Sequence, residues 1–67
     1  LDGAQAVAML PRLPYIYGEV LTLRFVEGMS PTEIAQVVGE SENVVSVRIH
    51  RGLKKLKEML ENLENHE

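Results

Sequence analysis

The 67-residue sequence contains no cysteine, and this absence limits how so small a chain can be held together. No disulfide can link its segments, and no thiolate is present to bind zinc. Its two histidines, His50 and His66, are too few and too far apart in sequence to form a metal site. A chain of this length buries only about 60% of its surface on folding. We therefore expect a small helical domain, a dimer or a fragment of a longer protein, with no metal and no cofactor.

Long hydrophobic runs are also absent, which argues against a membrane-spanning helix and a signal peptide. The composition, 45% hydrophobic and 25% charged, is typical of a globular domain in water. The sequence offers no set of nucleophile, base and orienting residue, no glycine-rich loop that could hold a phosphate, and no paired carboxylates. We therefore expect that the protein is not an enzyme and has no small-molecule substrate.

Positive charge is scarce, but its distribution matters more than its total. The formal net charge of −3, taken as a bulk property, argues against binding to nucleic acid. Residues 1–47 carry two arginines against six acidic residues, and residues 58–67 carry four glutamates and no lysine or arginine. The basic segment between them has no acid and holds five of the seven cations: Arg48, Arg51, Lys54, Lys55 and Lys57. This segment is either a solvated helix face paired with downstream glutamates or a surface for nucleic acid.

Capping signals and prolines divide the chain into four predicted helices, so the expected fold is all-α. Asp2 and Gln5 fit a capping box at the start of the first helix, and Pro11 and Pro14 separate it from the second. No strand-like alternation is present. The predicted helices span about residues 3–10, 14–27, 31–38 and 42–62. The apolar residues available for the core-facing side of the first helix are Ala4, Val7, Ala8 and Leu10.

The start of the third helix is the clearest local signal in the chain. Residues 30–33 read Ser-Pro-Thr-Glu, which supplies an N-cap serine, a proline at the first helical position and a reciprocating glutamate. Gly39 is expected to end this helix, and Ser41 can cap the fourth. The fourth helix carries an apolar stripe at helical spacing, made of Val45, Ile49, Gly52 or Leu53, Leu56, Leu60 and Leu63.

The third and fourth helices have the spacing of a helix-turn-helix. That motif needs a small residue where the two helices cross, a turn residue that tolerates a left-handed backbone, and a branched apolar residue on the second helix. Ala35, Gly39 and Val45 meet these needs in that order. With a capping box before it and a basic segment after it, the pattern favours a helix-turn-helix at residues 31–57 of a single domain, 1–67.

Four blocks of sequence, in order, resemble the C-terminal domain, region four, of bacterial RNA polymerase sigma factors, most closely the extracytoplasmic-function group. The blocks are LP at 13–14, EVLTLRFVEGMS at 19–30, EIAQVVG at 33–39 and RIHRGLKKL at 48–56. The resemblance implies a four-helix domain that acts in the cytoplasm and recognises the −35 element of promoter DNA. It also implies docking on the flap of the polymerase β subunit and, in many members, binding by an anti-sigma factor.

The resemblance assigns roles to individual residues by matching position. Arg51 is the first choice for a base contact, because arginine can donate two hydrogen bonds to guanine. Arg48 is either a phosphate contact or an ion-pair partner within the domain. Lysines that follow, and backbone N–H groups at the helix N-termini, are expected at phosphates. The expected DNA-binding residues are Arg51, Arg48, Ser46, Val47, Asn43, Lys54, Lys55 and Thr32.

The chain departs from the family pattern where cations are expected. Ser46 stands at a basic position, and Ile16 and Gly18 stand where arginine is frequent. In addition, Val44 and Val47 are apolar residues on the face that should meet DNA. These valines can contact thymine methyl groups or a protein, or Val44 can simply pack at the helix start, and the sequence leaves all three alternatives open.

Two other functions compete with promoter recognition. The first is a sigma-like interaction module with weak DNA affinity, which would bind polymerase or an anti-sigma factor through Ile16, Val20 and Tyr15. The second is the output domain of a LuxR-type response regulator, which shares the EGxSxxEIA block. That family, however, expects a histidine and an isoleucine where this chain has Arg48 and Gly52.

Overall fold

A computed structural model describes residues 3–64, and these residues form an all-α domain, as predicted. No strand occurs within this range. A 3-10 segment, Leu10–Arg12, continues the first helix, and a π segment, Thr22–Val26, continues the second. The four α-helices are α1 (Gly3–Met9), α2 (Tyr15–Leu21), α3 (Pro31–Val38) and α4 (Glu42–Glu64). None of the helices in this part of the chain is long and apolar enough to cross a membrane.

The ends of α1 and α2 follow from their prolines and from a widened turn. Pro11 lies in the 3-10 segment and Pro14 is the N-cap of α2. The predicted Asp2 cap of α1 lies outside the described residues. After Leu21 the second helix widens, and the N–H of Glu27 donates to the carbonyl of Thr22 at 3.0 Å, the i to i+5 bond of a π-helix. The predicted helix 14–27 is therefore one continuous helical element with a change of pitch.

The capping box that opens α3 forms as predicted. The Ser30 hydroxyl accepts a hydrogen bond from the N–H of Glu33 at 3.2 Å, and the Glu33 carboxylate accepts one from the N–H of Ser30 at 2.8 Å. The predicted cap of α4 also forms, because the N–H of Val44 donates to the Ser41 hydroxyl at 3.1 Å. These local bonds fix the first turns of both helices of the helix pair.

The core consists of two clusters that share α4. The upper cluster joins α2, α3 and the start of α4, and the lower cluster joins α1, α2 and the later turns of α4. Ile49 packs against both. The upper cluster is Val20, Ile34, Ala35 and Val45. The lower cluster is Met9, Leu10, Leu13, Leu21, Leu56 and Leu60.

Two details of the predicted core are settled by this packing. On α4, Gly52 is buried against α2 whereas Leu53 is exposed, so Gly52 takes the core position that the sequence left open. On α1 the predicted core face is largely wrong. Met9 and Leu10 are buried and Ala6 packs against them, whereas Val7 is exposed. Ala6, Met9 and Leu10 are spaced i, i+3 and i+4, so they form one face of the helix, and this is the face that meets the core.

We predict that Ser30→Ala lowers the free energy of unfolding by about 1 kcal/mol, because it removes the acceptor for the N–H of Glu33. Ser46→Ala is the matched control, since Ser46 is an exposed serine inside α4 that caps no helix. Urea denaturation followed by circular dichroism measures both variants. Equal losses in the two variants would contradict the contribution of the capping box.

The capping box also predicts a dependence of stability on pH. The hydrogen bond from the backbone N–H of Ser30 holds the pKa of Glu33 below its ordinary value. A carboxylate with a lowered pKa stabilises the fold above its unfolded pKa of about 4.3, and this contribution is lost as pH falls through the folded pKa. Between about pH 5 and pH 3, wild type should lose more stability than Glu33→Gln. Parallel losses in the two proteins would exclude a role for the carboxylate.

Candidate nucleic-acid interface

The turn between α3 and α4 has the geometry of a helix-turn-helix. Gly39 follows α3 in the left-handed region, with φ of 76° and ψ of 33°, which glycine adopts without steric cost. The N–H groups of Gly39 and Glu40 both donate to the carbonyl of Ala35, at 3.0 and 3.1 Å. Ser41 then caps α4, which begins at Glu42, so residues 39–41 form the whole connection.

Packing in the upper cluster sets the orientation of α4. Ile34 and Val45 are completely buried where α3 meets α4, and Ala35 lies beside them. A small side chain at this position lets the two helices approach closely, as the sequence pattern predicts. The side of α4 turned away from Val45 is therefore held at a defined angle and faces outward.

The outward side of the first turns of α4 is the candidate recognition face, made of Asn43, Val44, Val47, Arg48 and Arg51. These five residues, together with Ile16 and Tyr17 of α2, line a shallow cleft of about 260 Å³. Asn43, Val47 and Arg51 are exposed, whereas Val44 and Arg48 are half-buried. The cleft combines apolar side chains with the polar groups of Asn43, Arg48 and Arg51.

Arg48 is an ion-pair partner within the domain, which was one of its two expected roles. Its Nη2 lies 3.3 Å from Oε2 of Glu40, and the Arg48 side chain is only 21% exposed. The pair joins the turn to the second turn of α4. Because both charges still meet solvent, the pair adds little stability by itself. In this conformation the guanidinium is directed to Glu40, so Arg48 is not a free cation on the recognition face.

The other four cations of the basic segment are exposed and form no ion pair with the side chains described in residues 3–63. Lys54 and Lys55 lie on the same side of α4 as Arg51, because successive residues turn by about 100° around an α-helix. Lys57 lies farther around the helix. The cations of the basic segment are therefore not paired with the described downstream glutamates, which was the alternative to a surface for nucleic acid.

The two remaining residues expected at DNA lie beside this face. Ser46 is exposed but does not line the cleft, because it is rotated about 100° from Val47. Thr32 is exposed in the first turn of α3, directly after Pro31. Neither side chain forms a hydrogen bond within the described part of the chain.

The three residues expected to bind a protein partner do not form one surface. Val20 is completely buried in the upper cluster, so its expected place on a partner-binding surface is wrong. Ile16 faces the cleft beside α4. Tyr15 is 76% exposed on another side of α2, where its hydroxyl donates to Oε2 of Glu19 at 3.1 Å, a bond that raises the pKa of Tyr15.

A larger apolar groove lies on that other side of α2, and of the three residues expected to bind a protein partner it is lined by Tyr15. It has a volume of about 670 Å³ and is lined by α1, the 3-10 segment, α2, the π segment and the end of α3. Val37 is 60% exposed at one wall, and Val7 and Val26 are also exposed. The signal that could have revealed it is an excess of apolar residues over what two small clusters can bury. The lining residues are Val7, Leu10, Pro11, Leu13, Tyr15, Gly18, Glu19, Thr22, Leu23, Val26 and Val37.

The structure gives a physical reason for one missing cation. A Cβ atom at Gly18 would lie 3.0 Å from the carbonyl oxygen of Leu10, which is backbone and cannot easily move. An arginine here would therefore require α2 to shift away from the 3-10 segment. Ile16 is exposed, and nothing in the structure explains why it stands where a cation is frequent. For metals, the described residues contain no group of three or more histidines or carboxylates placed to hold an ion.

Comparison with known proteins identifies relatives with one consistent function. The family described as Sigma-70, region 4 matches residues 4–56. RNA polymerase sigma factor SigV of Bacillus subtilis (strain 168) is 44% identical over 45 residues, which is 67% of this chain and 27% of that protein. ECF RNA polymerase sigma factor ShbA of Streptomyces griseus subsp. griseus is 37% identical over 60 residues, covering 90% of this chain and 31% of that protein. The match thus spans less than a third of each relative. No solved structure matches significantly.

Proposed function

This chain belongs to the sigma-70 region 4 family of sigma factor DNA-binding domains, and we propose that its α3 and α4 recognise the −35 element of a promoter. The observation that carries the proposal is the arrangement of α4. Arg51, Lys54 and Lys55 are exposed and unpaired within residues 3–63, on the side of the helix that also presents Asn43 and Val47. The family match favours this function over the output domain of a LuxR-type regulator.

The proposed contacts follow from the shape of B-DNA. The major groove is about 12 Å wide and admits an α-helix, whose N-terminal part contacts base edges. Arg51 then lies one turn beyond Val47 and donates to guanine O6 and N7. Lys54 and Lys55 reach phosphates farther along, whereas Thr32 and Ser46 reach phosphates at the edges of the groove. Arg48 contributes indirectly, by joining the turn to α4 through Glu40.

Affinity of the domain alone for DNA is expected to be low. The segments on both sides of the basic segment carry a net negative charge. In addition, Ile16 and Gly18 stand at two positions where cations are frequent in the family. Each missing phosphate contact lowers both affinity and salt dependence. Attachment to polymerase, and to a second promoter-binding domain, would raise the effective concentration of this domain at its site without any new contact.

The apolar groove favours a second activity of the same domain, docking on the flap of the polymerase β subunit. Exposed apolar side chains in one groove are typical of protein-binding surfaces. Tyr15, Val26 and Val37 supply such side chains, and the α2 residues of the groove lie opposite Ile16 and Tyr17 of the recognition cleft. The domain can therefore hold polymerase on one side and DNA on the other. An anti-sigma factor that covers either surface would block initiation.

We predict that Arg51→Ala weakens binding to a duplex with a preferred −35 sequence by about 1–3 kcal/mol, because a bidentate base contact is lost. Binding to a random duplex should fall much less. Lys55→Ala should instead weaken binding to both duplexes and lower the slope of log K against log salt by about one. Arg12→Ala, an exposed arginine of the 3-10 segment, is the matched control. Fluorescence anisotropy across a salt titration measures wild type and the three variants on both duplexes.

Two results would contradict this assignment. If wild type and Arg51→Ala had equal sequence preference, Arg51 would not be the residue that contacts a base. If wild-type binding did not respond to salt, the basic segment would not contact DNA, because counterion release must accompany phosphate contacts.

We also predict that Val37→Ser weakens binding to a purified β-flap fragment about fivefold or more, since a buried apolar contact at an interface is lost. Leu63→Ser is the matched control, because Leu63 is an exposed apolar residue near the far end of α4 and outside the groove. Isothermal titration calorimetry measures both variants. Absence of a complex well above micromolar concentration, or equal binding by both variants, would contradict flap docking at this groove.

A further inference from the structure

We infer that Val47 contacts the methyl group of a thymine and thereby selects thymine at one base pair of the bound duplex. The inference rests on the proposed DNA-binding function and names a specificity that this function alone does not imply. It chooses one of the alternatives that the sequence left open for the apolar residues of the recognition face.

The first support is that the fold does not need Val47. Val45 is completely buried and Val44 is half-buried, so these neighbours account for the packing at the start of α4. Val47 is 39% exposed and belongs to neither core cluster nor the residues packed against them. Its side chain is therefore available to a ligand at the mouth of the cleft.

The second support is the chemistry around Val47. The neighbouring cleft residues Ile16 and Val44 are apolar, and the guanidinium of Arg48 is engaged by Glu40. A cytosine or adenine amino group placed directly against Val47, Ile16 and Val44 would lose water without gaining an acceptor from them, which is costly. The amide oxygen of Asn43, one turn before Val47 in the same cleft, can serve only a neighbouring base. A thymine presents its C5-methyl group to the major groove, and that group gains by apolar burial. Directly against these apolar side chains, thymine is thus favoured over cytosine and adenine, and also over guanine, whose O6 and N7 acceptors would find no donor among them.

The third support is the spacing between Val47 and Arg51. They lie four residues apart on α4, a distance of about 6 Å along the helix axis. Because the base-pair rise is about 3.4 Å, this distance corresponds to about two base pairs. The selected thymine should therefore lie within about two base pairs of the guanine contacted by Arg51.

Replacement of thymine by deoxyuridine tests the contact, because it removes the methyl group and keeps every hydrogen-bonding group of the base. The probe is a duplex selected by the wild-type chain from a pool with a randomised central segment. Each thymine in it is then replaced singly by deoxyuridine, and thymines outside the selected segment are internal controls. The proteins are wild type, Val47→Ser, the conservative variant Val47→Ile and the distant control Leu63→Ser.

We expect one deoxyuridine within about two base pairs of the selected guanine to weaken wild-type binding about threefold to fivefold, as expected for one buried methyl. The effect should persist in Val47→Ile and Leu63→Ser and disappear in Val47→Ser. A sequence-selective duplex on which no deoxyuridine matters would overturn the inference and leave the DNA-binding proposal standing. A methyl effect of equal size in Val47→Ser would also overturn it. If no duplex is selected over random DNA, both proposals fail and a protein is the better occupant of the cleft.

Discussion

The crossing of α3 over α4 is the contact on which the functional surfaces depend. Ile34, Ala35 and Val45 are buried together with Val20 where the two helices meet, and Gly39 reverses the chain between them with a φ of 76°. A larger residue in place of Ala35 would separate the helices, and a residue unable to adopt a positive φ would displace the start of α4. Because this contact is rigid, the outward face of α4 is held in one orientation.

The charge distribution of the chain acquires a physical meaning from that orientation. The net charge of −3 combines an exposed cluster of cations on α4 with acidic residues elsewhere. Under the proposed function, phosphates are attracted to these cations and repelled by the acidic residues, so the same charges that lower overall affinity favour docking through the side of α4 that carries Arg51. Glu40 takes part in both effects, since it neutralises Arg48 and holds it in place beside the apolar part of the cleft.

The elements predictable from sequence are those in which single residues have strong local requirements. Ser30 with Glu33, and Gly39, specify caps and a turn through bonds within a few residues, so the helix order and the α3–α4 turn were predicted correctly. The buried side of α1, the burial of Val20 and most of the residues that line the large groove were not. Apolar periodicity marks a helix as amphipathic but cannot tell which of two apolar sides meets the core, and α2 has apolar residues on both. The role of Arg48 also depended on where the turn places Glu40.

The most direct test of whether the outward face of α4 contacts DNA is an NMR titration. Amide chemical shifts of the ¹⁵N-labelled chain are followed as a selected duplex is added. We expect changes at Asn43, Val47 and Arg51 and in the lysines that follow, with Val26 and Val37 of the apolar groove unchanged. Changes that centre on the groove, or an α4 face that does not respond while the duplex is bound, would contradict DNA contact by α4.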